Sequence, residues 1–139
     1  MADLTVTAAS VALVESPRQP RTIPAGAAVD AGAPVYLDSA GKVREASAGA
    51  DATEVAVGIA VTSAAEANLP VTVAGADAII DLGNALGGLA YGATIYLSNT
   101  AGNVGDAAGS ASVVMGTVIP AWGATTADKL LRLSGSLLG

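Results

Sequence analysis

The sequence predicts an all-β protein made of two similar β-units, and three observations support this prediction. Short runs alternate between large apolar residues and small or polar ones, which is the two-residue period of a β-strand. Clusters of Asp, Asn, Ser and Gly separate these runs and are typical of hairpin turns. The same blocks recur in the same order later in the chain. Small sheets of this kind bury their apolar faces against each other, so we expect a sandwich or a barrel.

The internal repeat consists of four matched blocks. They pair residues 31–37 with 91–97, 38–43 with 98–104, 55–61 with 113–119, and 71–75 with 131–135. Compositional bias is the alternative explanation, but four blocks in one order are hard to produce by bias alone. We therefore expect a β-domain over residues 29–139, with pseudo-repeats 29–75 and 89–135 joined by residues 76–88.

Each block predicts a local structure. Gly41 and Gly102 end the hairpin turns, where we expect positive φ angles. The third block alternates strictly, which predicts one large apolar face, and the fourth predicts inward residues on either side of Thr72 or Arg132. The expected inward residues are Val55, Val57, Ile59, Val61, Val71 and Val73 in the first copy, and Val113, Met115, Ile119, Leu131 and Leu133 in the second, with Thr117 as an exception.

Helix is predicted only as single turns. Residues 63–68 and 125–130 occupy matched places in the two copies, and each begins with a residue that can cap a helix. Residues 78–91 link the copies, and the glycines in this linker favour an extended or looped crossing.

Residues 1–28 differ from the repeats and predict an extended N-terminal arm. Proline fixes φ and removes a backbone donor, so residues 16–24 should pair poorly with other strands. Such an arm suits contact with another protein, while an ordinary flexible terminus is the alternative. The candidate contact residues are Leu4, Val6, Pro17, Arg18, Pro20 and Arg21.

The linker supplies a second set of candidate contacts, Leu82, Leu86 and Leu89. A Gly-rich segment is poorly suited to burying three leucines, and exposed apolar residues often mark an interface. The alternative is that these leucines seal the two halves of the molecule together.

The residue inventory argues against catalysis and against a bound cofactor or metal. The chain has no histidine and no cysteine, which removes the commonest proton shuttle, thiolate chemistry and most zinc ligands. The carboxylates are scattered, and no Asp-rich calcium loop or phosphate-binding loop is present. We therefore expect no enzyme activity.

Composition also narrows the class of partner. The net charge is −6, and the few basic residues do not form a stripe, which argues against nucleic-acid binding. No apolar run is long enough to predict a membrane helix, and no secretory signal is predicted. The apolar content is 52%, yet there is no Phe and only one Trp, so the core is thin and association with a partner would stabilise it.

Residues 23 to 135 resemble the capsid decoration, or cement, proteins of tailed bacteriophages. The shared phrases are a Gly-x-x-Val-Tyr-like strand, a turn of the form Asp/Asn-x-x-Gly-x-Val, and x-Gly-Ile/Val-Ala followed by Val-x-Val-x-Gly. They are represented here by "GAPVYLDSAGKV", "VAVGIAV", "VTVAG", "YGATIYLSNTAGNV" and "VVMGTVI".

This resemblance implies a compact β-barrel or β-tulip-like domain on the capsid exterior. It further implies binding to the major capsid protein, a homotrimer, stabilisation of the head, and localisation in the virion after synthesis in the host cytoplasm. By the same analogy, the N-terminal arm would contact the capsid. Two other classes remain open: another phage structural part, such as a head-fibre base or tail accessory, and a bacterial surface adhesion module.

Overall fold

The computed structural model describes residues 3–4, 6–8, 11–15, 21–47, 56–110, 113–120 and 129–134. They include eleven strands and a turn of 3-10 helix at Gly83–Leu86. The strands are β1 (Ala12–Glu15), β2 (Arg21–Pro24), β3 (Pro34–Leu37), β4 (Val43–Glu45), β5 (Ala56–Ala60), β6 (Pro70–Ala74), β7 (Ile79–Asp81), β8 (Thr94–Leu97), β9 (Val104–Gly105), β10 (Val114–Pro120) and β11 (Lys129–Leu133).

The strands form two antiparallel sheets, which confirms the predicted all-β class. Sheet A has the order β1-β7-β11-β10-β8-β9, and sheet B has the order β2-β6-β5-β3-β4. Neither sheet closes into a barrel, so the barrel expectation is wrong. Both sheets keep edge strands, and closure would require those edges to pair with each other.

The two sheets repeat one arrangement. Strands β6-β5-β3-β4 of sheet B correspond in order to β11-β10-β8-β9 of sheet A. Equivalent backbone hydrogen bonds lie just before β3 and β8, the first strands of the matched sets. The Gly32 amide donates to the Ala60 carbonyl at 2.7 Å, and the Gly92 amide donates to the Val118 carbonyl at 2.8 Å. Both glycines have positive φ.

The hairpin turns after β3 and β8 are also alike. Gly41 and Gly102 have φ angles of 78° and 82°, as predicted. The Asp38 carboxylate accepts bonds from the Ala40 and Lys42 amides at 2.9 and 3.0 Å. At the corresponding place the Ser98 hydroxyl accepts from the Thr100 amide at 3.0 Å, so both turns are fixed by a side chain at their first residue.

A β-bulge sits at the same place in both copies. Val35 lies opposite Gly58 and Tyr36 opposite Ala56, so Val57 is an extra residue in β5. Likewise Met115 is extra in β10, because Val114 lies opposite Tyr96 while Gly116 lies opposite Ile95. A bulge shifts the alternation by one residue.

Because of the bulges, the predicted inward faces of β5 and β10 are partly wrong. Val57 and Ile59 point into different apolar clusters instead of sharing one face. Past the second bulge, Val118 is buried, whereas Thr117 and Ile119 are only partly buried. Val55 lies outside the described residues. In the last block Val71, Val73, Leu131 and Leu133 are buried on either side of Thr72 or Arg132, which confirms that prediction.

The register of the last strands differs from the sequence match by two residues. Ala60 lies opposite Val73, and its counterpart Val118 lies opposite Leu131. Val73 therefore corresponds to Leu131, whereas the sequence blocks align it with Leu133. A slip of two residues preserves the buried face, so alternation alone does not reveal it.

The main core contains side chains from both sheets. Its buried members include Ile59 and Ala74 of sheet B with Ile95, Leu97 and Leu131 of sheet A. A second, smaller cluster lies on the opposite face of sheet B, where Val35, Val43 and Val71 pack with alanines. Because one core joins the two sheets, the pseudo-repeats are not separate folding units.

The structure corrects two further local predictions. Residues 63–68 form no helix, because Ala64 pairs with Val29 through two backbone bonds of 2.8 and 2.9 Å. The second predicted helical turn lies partly outside the described residues, and its last two residues belong to β11. The linker crosses as expected, apart from strand β7 and the 3-10 turn.

Candidate interaction surface

The described parts of the N-terminal segment belong to the fold and do not form a separate arm. Strand β1 adds to the edge of sheet A beside β7, and β2 adds to the edge of sheet B beside β6. The prediction that residues 16–24 pair poorly is therefore wrong for β2. Pro24 is tolerated because β2 is an edge strand, where a missing donor can face away from the sheet.

Leu4 and Val6 are partly buried and pack against the main core. Arg21 remains exposed on β2. Pro17, Arg18 and Pro20 lie outside the described residues. Among the three predicted contact residues that the structure describes, Arg21 is exposed and the other two are partly buried.

The Asp3 carboxylate hydrogen-bonds to side chains of the β8–β9 turn. It accepts a hydrogen bond from the Ser98 hydroxyl at 2.5 Å and one from the Asn103 amide at 3.3 Å. The Ser98 bond lowers the pKa of the Asp3 carboxyl. Next to it, the Leu4 amide donates to the Val104 carbonyl at 2.8 Å, so the N-terminal residues cover the open edge of β9.

The linker leucines pack between the two halves of the molecule, as the alternative interpretation predicts. Leu82 and Leu86 are 1% and 0% exposed and belong to the main core, so the expectation that they make intermolecular contacts is wrong. Leu89 is partly buried against the same core, and the Lys129 ammonium donates to its carbonyl. The 3-10 turn makes burial possible by folding the Gly-rich linker back onto β11.

The face of sheet A that points away from the core is partly open to solvent. It is called here the outer face, and its open part comprises Thr94, Tyr96, Val114, Thr117, Ile119 and Arg132. These residues share a face because Tyr96 lies opposite Val114, and Thr117 lies opposite both Thr94 and Arg132. Val114 is 39% exposed, and Arg132 carries the only charge of this set.

A shallow hollow of about 380 Å³ lies on this outer face. Val114, Thr117 and Ile119 line it together with Arg132 and Asp77. The Arg132 guanidinium bonds the Asp77 carboxylate at 3.2 Å, and both side chains are about half exposed. An exposed pair of this kind holds its partners weakly, so the Arg132 head group is free to make other contacts.

The described residues contain no arrangement with obvious catalytic chemistry. Among them no three acidic residues lie close enough to hold a metal ion. Ser39 and Lys42 have the Ser-x-x-Lys spacing in the β3–β4 turn, but the Lys42 ammonium bonds the Asn68 side-chain oxygen at 2.6 Å on the surface. A nucleophile needs an activated, desolvated base, and this turn provides none.

No family model matches this chain, and no curated protein matches it. Within the part that the structure describes, no helix has the length and apolar character needed to span a membrane.

Proposed function

We propose that this protein is a non-enzymatic capsid decoration protein, which binds the exterior of a tailed-phage head and stabilises its lattice. Its partner is the major capsid protein, it acts as a homotrimer, and its location is the outside of the virion. The observation that carries the proposal is the duplication. Both halves contain the phrases that resemble decoration proteins, and both halves form matching sheets around one core.

The described surface supports a binding role over a catalytic one. The outer face of sheet A is open and carries neutral side chains with a single exposed ion pair. Surfaces of this type suit contact with a protein, whereas small-molecule sites are concave pockets with convergent polar groups.

The physical benefit of decoration comes from repetition of one weak site. A capsid presents many copies of the same surface, and a homotrimer engages three of them at once. Linked contacts raise the effective concentration at each remaining site, so the assembly holds more firmly than one interface alone. This compensates for a thin, Ala-rich core, because binding to a lattice stabilises the folded state by mass action.

The test is cryo-electron microscopy of undecorated, expanded heads of the cognate phage, with and without the purified protein at physiological salt. We expect ordered additional density on the exterior at three-fold positions and a higher temperature of capsid disruption. No density at saturating protein concentration would contradict the proposal and would favour a tail or fibre role, which the same preparation can test with purified tails.

A further inference from the structure

The β8–β9 turn, residues 98–103, docks on the end of strand β4, which belongs to the other pseudo-repeat. The Gly102 amide donates to the Ala46 carbonyl at 3.0 Å. The Ser47 hydroxyl donates to the Asn99 carbonyl at 2.7 Å. This contact between the two pseudo-repeats is called here the junction.

The Glu45 carboxylate lies directly against the junction. A Cβ atom on Gly102 would lie 2.7 Å from the carboxyl carbon of Glu45, and 2.7 and 2.9 Å from its two oxygens. The Asp30 amide donates to one of these oxygens at 3.4 Å. Because the Glu45 side chain is partly buried here, docking of the turn removes water from an ionisable group.

Among the described residues, no cation offsets the charge of this carboxylate. The neighbouring Arg44 guanidinium is engaged at 2.9 Å by the Asp38 carboxylate. Strand β3 places an uncharged residue opposite Glu45, and residues 98–103 of the turn are all uncharged. The charged group that does act on Glu45 is the Asp30 carboxylate, which has the same sign. Burial and this repulsion together raise the pKa of Glu45.

A second carboxylate, Asp3, holds the same turn and responds to pH in the opposite sense. Its bond from Ser98, assisted by the bond from Asn103, lowers the pKa of Asp3. The stabilisation that ionised Asp3 gives is therefore lost only as pH falls through that lowered pKa. Glu45 titrates at higher pH, so the two carboxylates act on the turn in separate pH ranges.

We propose that Glu45 makes the junction sensitive to pH: the β8–β9 turn docks firmly when Glu45 is protonated and opens more readily when Glu45 is ionised. An opened turn lets water reach the carboxylate, so the open state binds the proton less tightly than the docked state does. Docking is therefore favoured at low pH and weakens as pH rises through the docked-state pKa of Glu45. The inference concerns the internal dynamics of the fold and does not depend on the decoration role.

Hydrogen exchange of the Gly102 amide measures how often the junction opens, because this amide donates across it. Nuclear magnetic resonance between pH 4.5 and 7.5, at about 0.5-unit steps, follows this exchange after correction for intrinsic rates, and carboxyl carbon shifts follow the titration of Glu45. We expect the protection of Gly102 to fall by at least about 3-fold over this range, with the Glu45 midpoint. The Gly41 amide is the internal reference, since it donates within its own turn.

Two variants separate the effect of Glu45 from a general effect of charge. Glu45→Gln should keep the protection of Gly102 nearly constant with pH, because the side chain no longer titrates. Glu66→Gln removes the same charge at an exposed position and should behave as the wild type does.

Three results would overturn the proposal. The first is a wild-type protection of Gly102 that does not change with pH, and the second is a Glu45→Gln variant that keeps the wild-type response. The third is an equal change at the Leu97 amide, which donates to Val113 within sheet A, because Glu45 would then act on the whole sheet instead of the junction.

Discussion

At two positions only glycine fits, because the neighbouring strand approaches too closely for a Cβ atom. A Cβ atom on Gly58 would lie 2.1 Å from the Ala74 carbonyl oxygen, and one on Gly116 would lie 2.3 Å from the Arg132 carbonyl oxygen. Both contacts are with backbone atoms, which cannot move without disturbing the sheet. The two glycines follow the extra residues of the bulges, so the tight approach and the bulge form one repeated feature.

We expect Gly58→Ala and Gly116→Ala each to reduce the free energy of unfolding by about 2–4 kcal/mol, because the added methyl group overpacks the strand pair. Chemical denaturation with circular dichroism measures the change. Gly88→Ala is the matched control, since open space surrounds that position, and it should change stability by less than about 0.5 kcal/mol. Wild-type stability of the Gly58→Ala variant would contradict the bulge geometry.

Glu45 is a carboxylate whose surroundings oppose its charge. Burial raises the pKa of Glu45, and the nearby Asp30 carboxylate acts in the same direction, against a bond from the Asp30 amide. A raised pKa means that the folded state binds the proton more tightly than the unfolded state does. The stability that this group contributes is therefore present at low pH and is lost as pH rises through the folded-state pKa.

We expect Glu45→Gln to raise the thermal unfolding midpoint by about 1–3 °C at pH 7 and to have little effect at pH 3.5, where Glu45 is largely protonated. Scanning calorimetry across this range measures it. Glu66→Gln, at an exposed position, removes the same charge and should show no such pH-dependent gain. A Glu45→Gln variant less stable than the wild type at pH 7 would refute the assignment.

At the scale of elements, the N-terminal segment joins parts of the molecule that are distant in sequence. It begins on the edge of β9, passes the main core, and forms β1 beside β7 at the other edge of sheet A. It then supplies β2 to sheet B. One segment thus covers the edge of β9 and contributes the outermost strand to each sheet.

We expect Leu4→Asp to reduce the free energy of unfolding by about 1–3 kcal/mol, because it places a charge against the main core. Thr7→Asp is the control: Thr7 is exposed three residues away, and the change adds the same charge. Urea denaturation distinguishes them. Equal stability of the two variants would mean that the segment is not held as the structure has it.

For the whole molecule, the shared core predicts a single cooperative unfolding transition despite the internal repeat. Ile59→Ala in sheet B and Leu131→Ala in sheet A remove fully buried side chains, so each should cost about 2–4 kcal/mol and lower the same transition. Calorimetry tests this, with Val14→Ala at an exposed position as the control. Two separate transitions, each sensitive to one substitution, would show that the sheets unfold independently.

Most strands of the two copies, the hairpin turns and the repeat could be predicted from the sequence, because these features depend on short-range physics. Strands β2 and β7 were not predicted. Alternation identified the buried faces of β6 and β11, and turn chemistry identified Gly41 and Gly102. The outer face of sheet A was missed. The polar residue Thr117 within an apolar run could have indicated this face, because the bulge shifts the alternation and turns Thr117 outward.

Which apolar residues are buried and which are exposed depends on tertiary packing. Leu37 and Leu97 end matching strands in matching blocks, yet Leu37 is 40% exposed and Leu97 is 0% exposed. Leu97 lies beside β9, whose edge is covered by Asp3 and Leu4, so its burial depends on residues more than ninety positions away. Likewise the linker leucines are buried because the sheets share a core. Local pattern shows that a residue can be buried, but long-range packing determines what covers it.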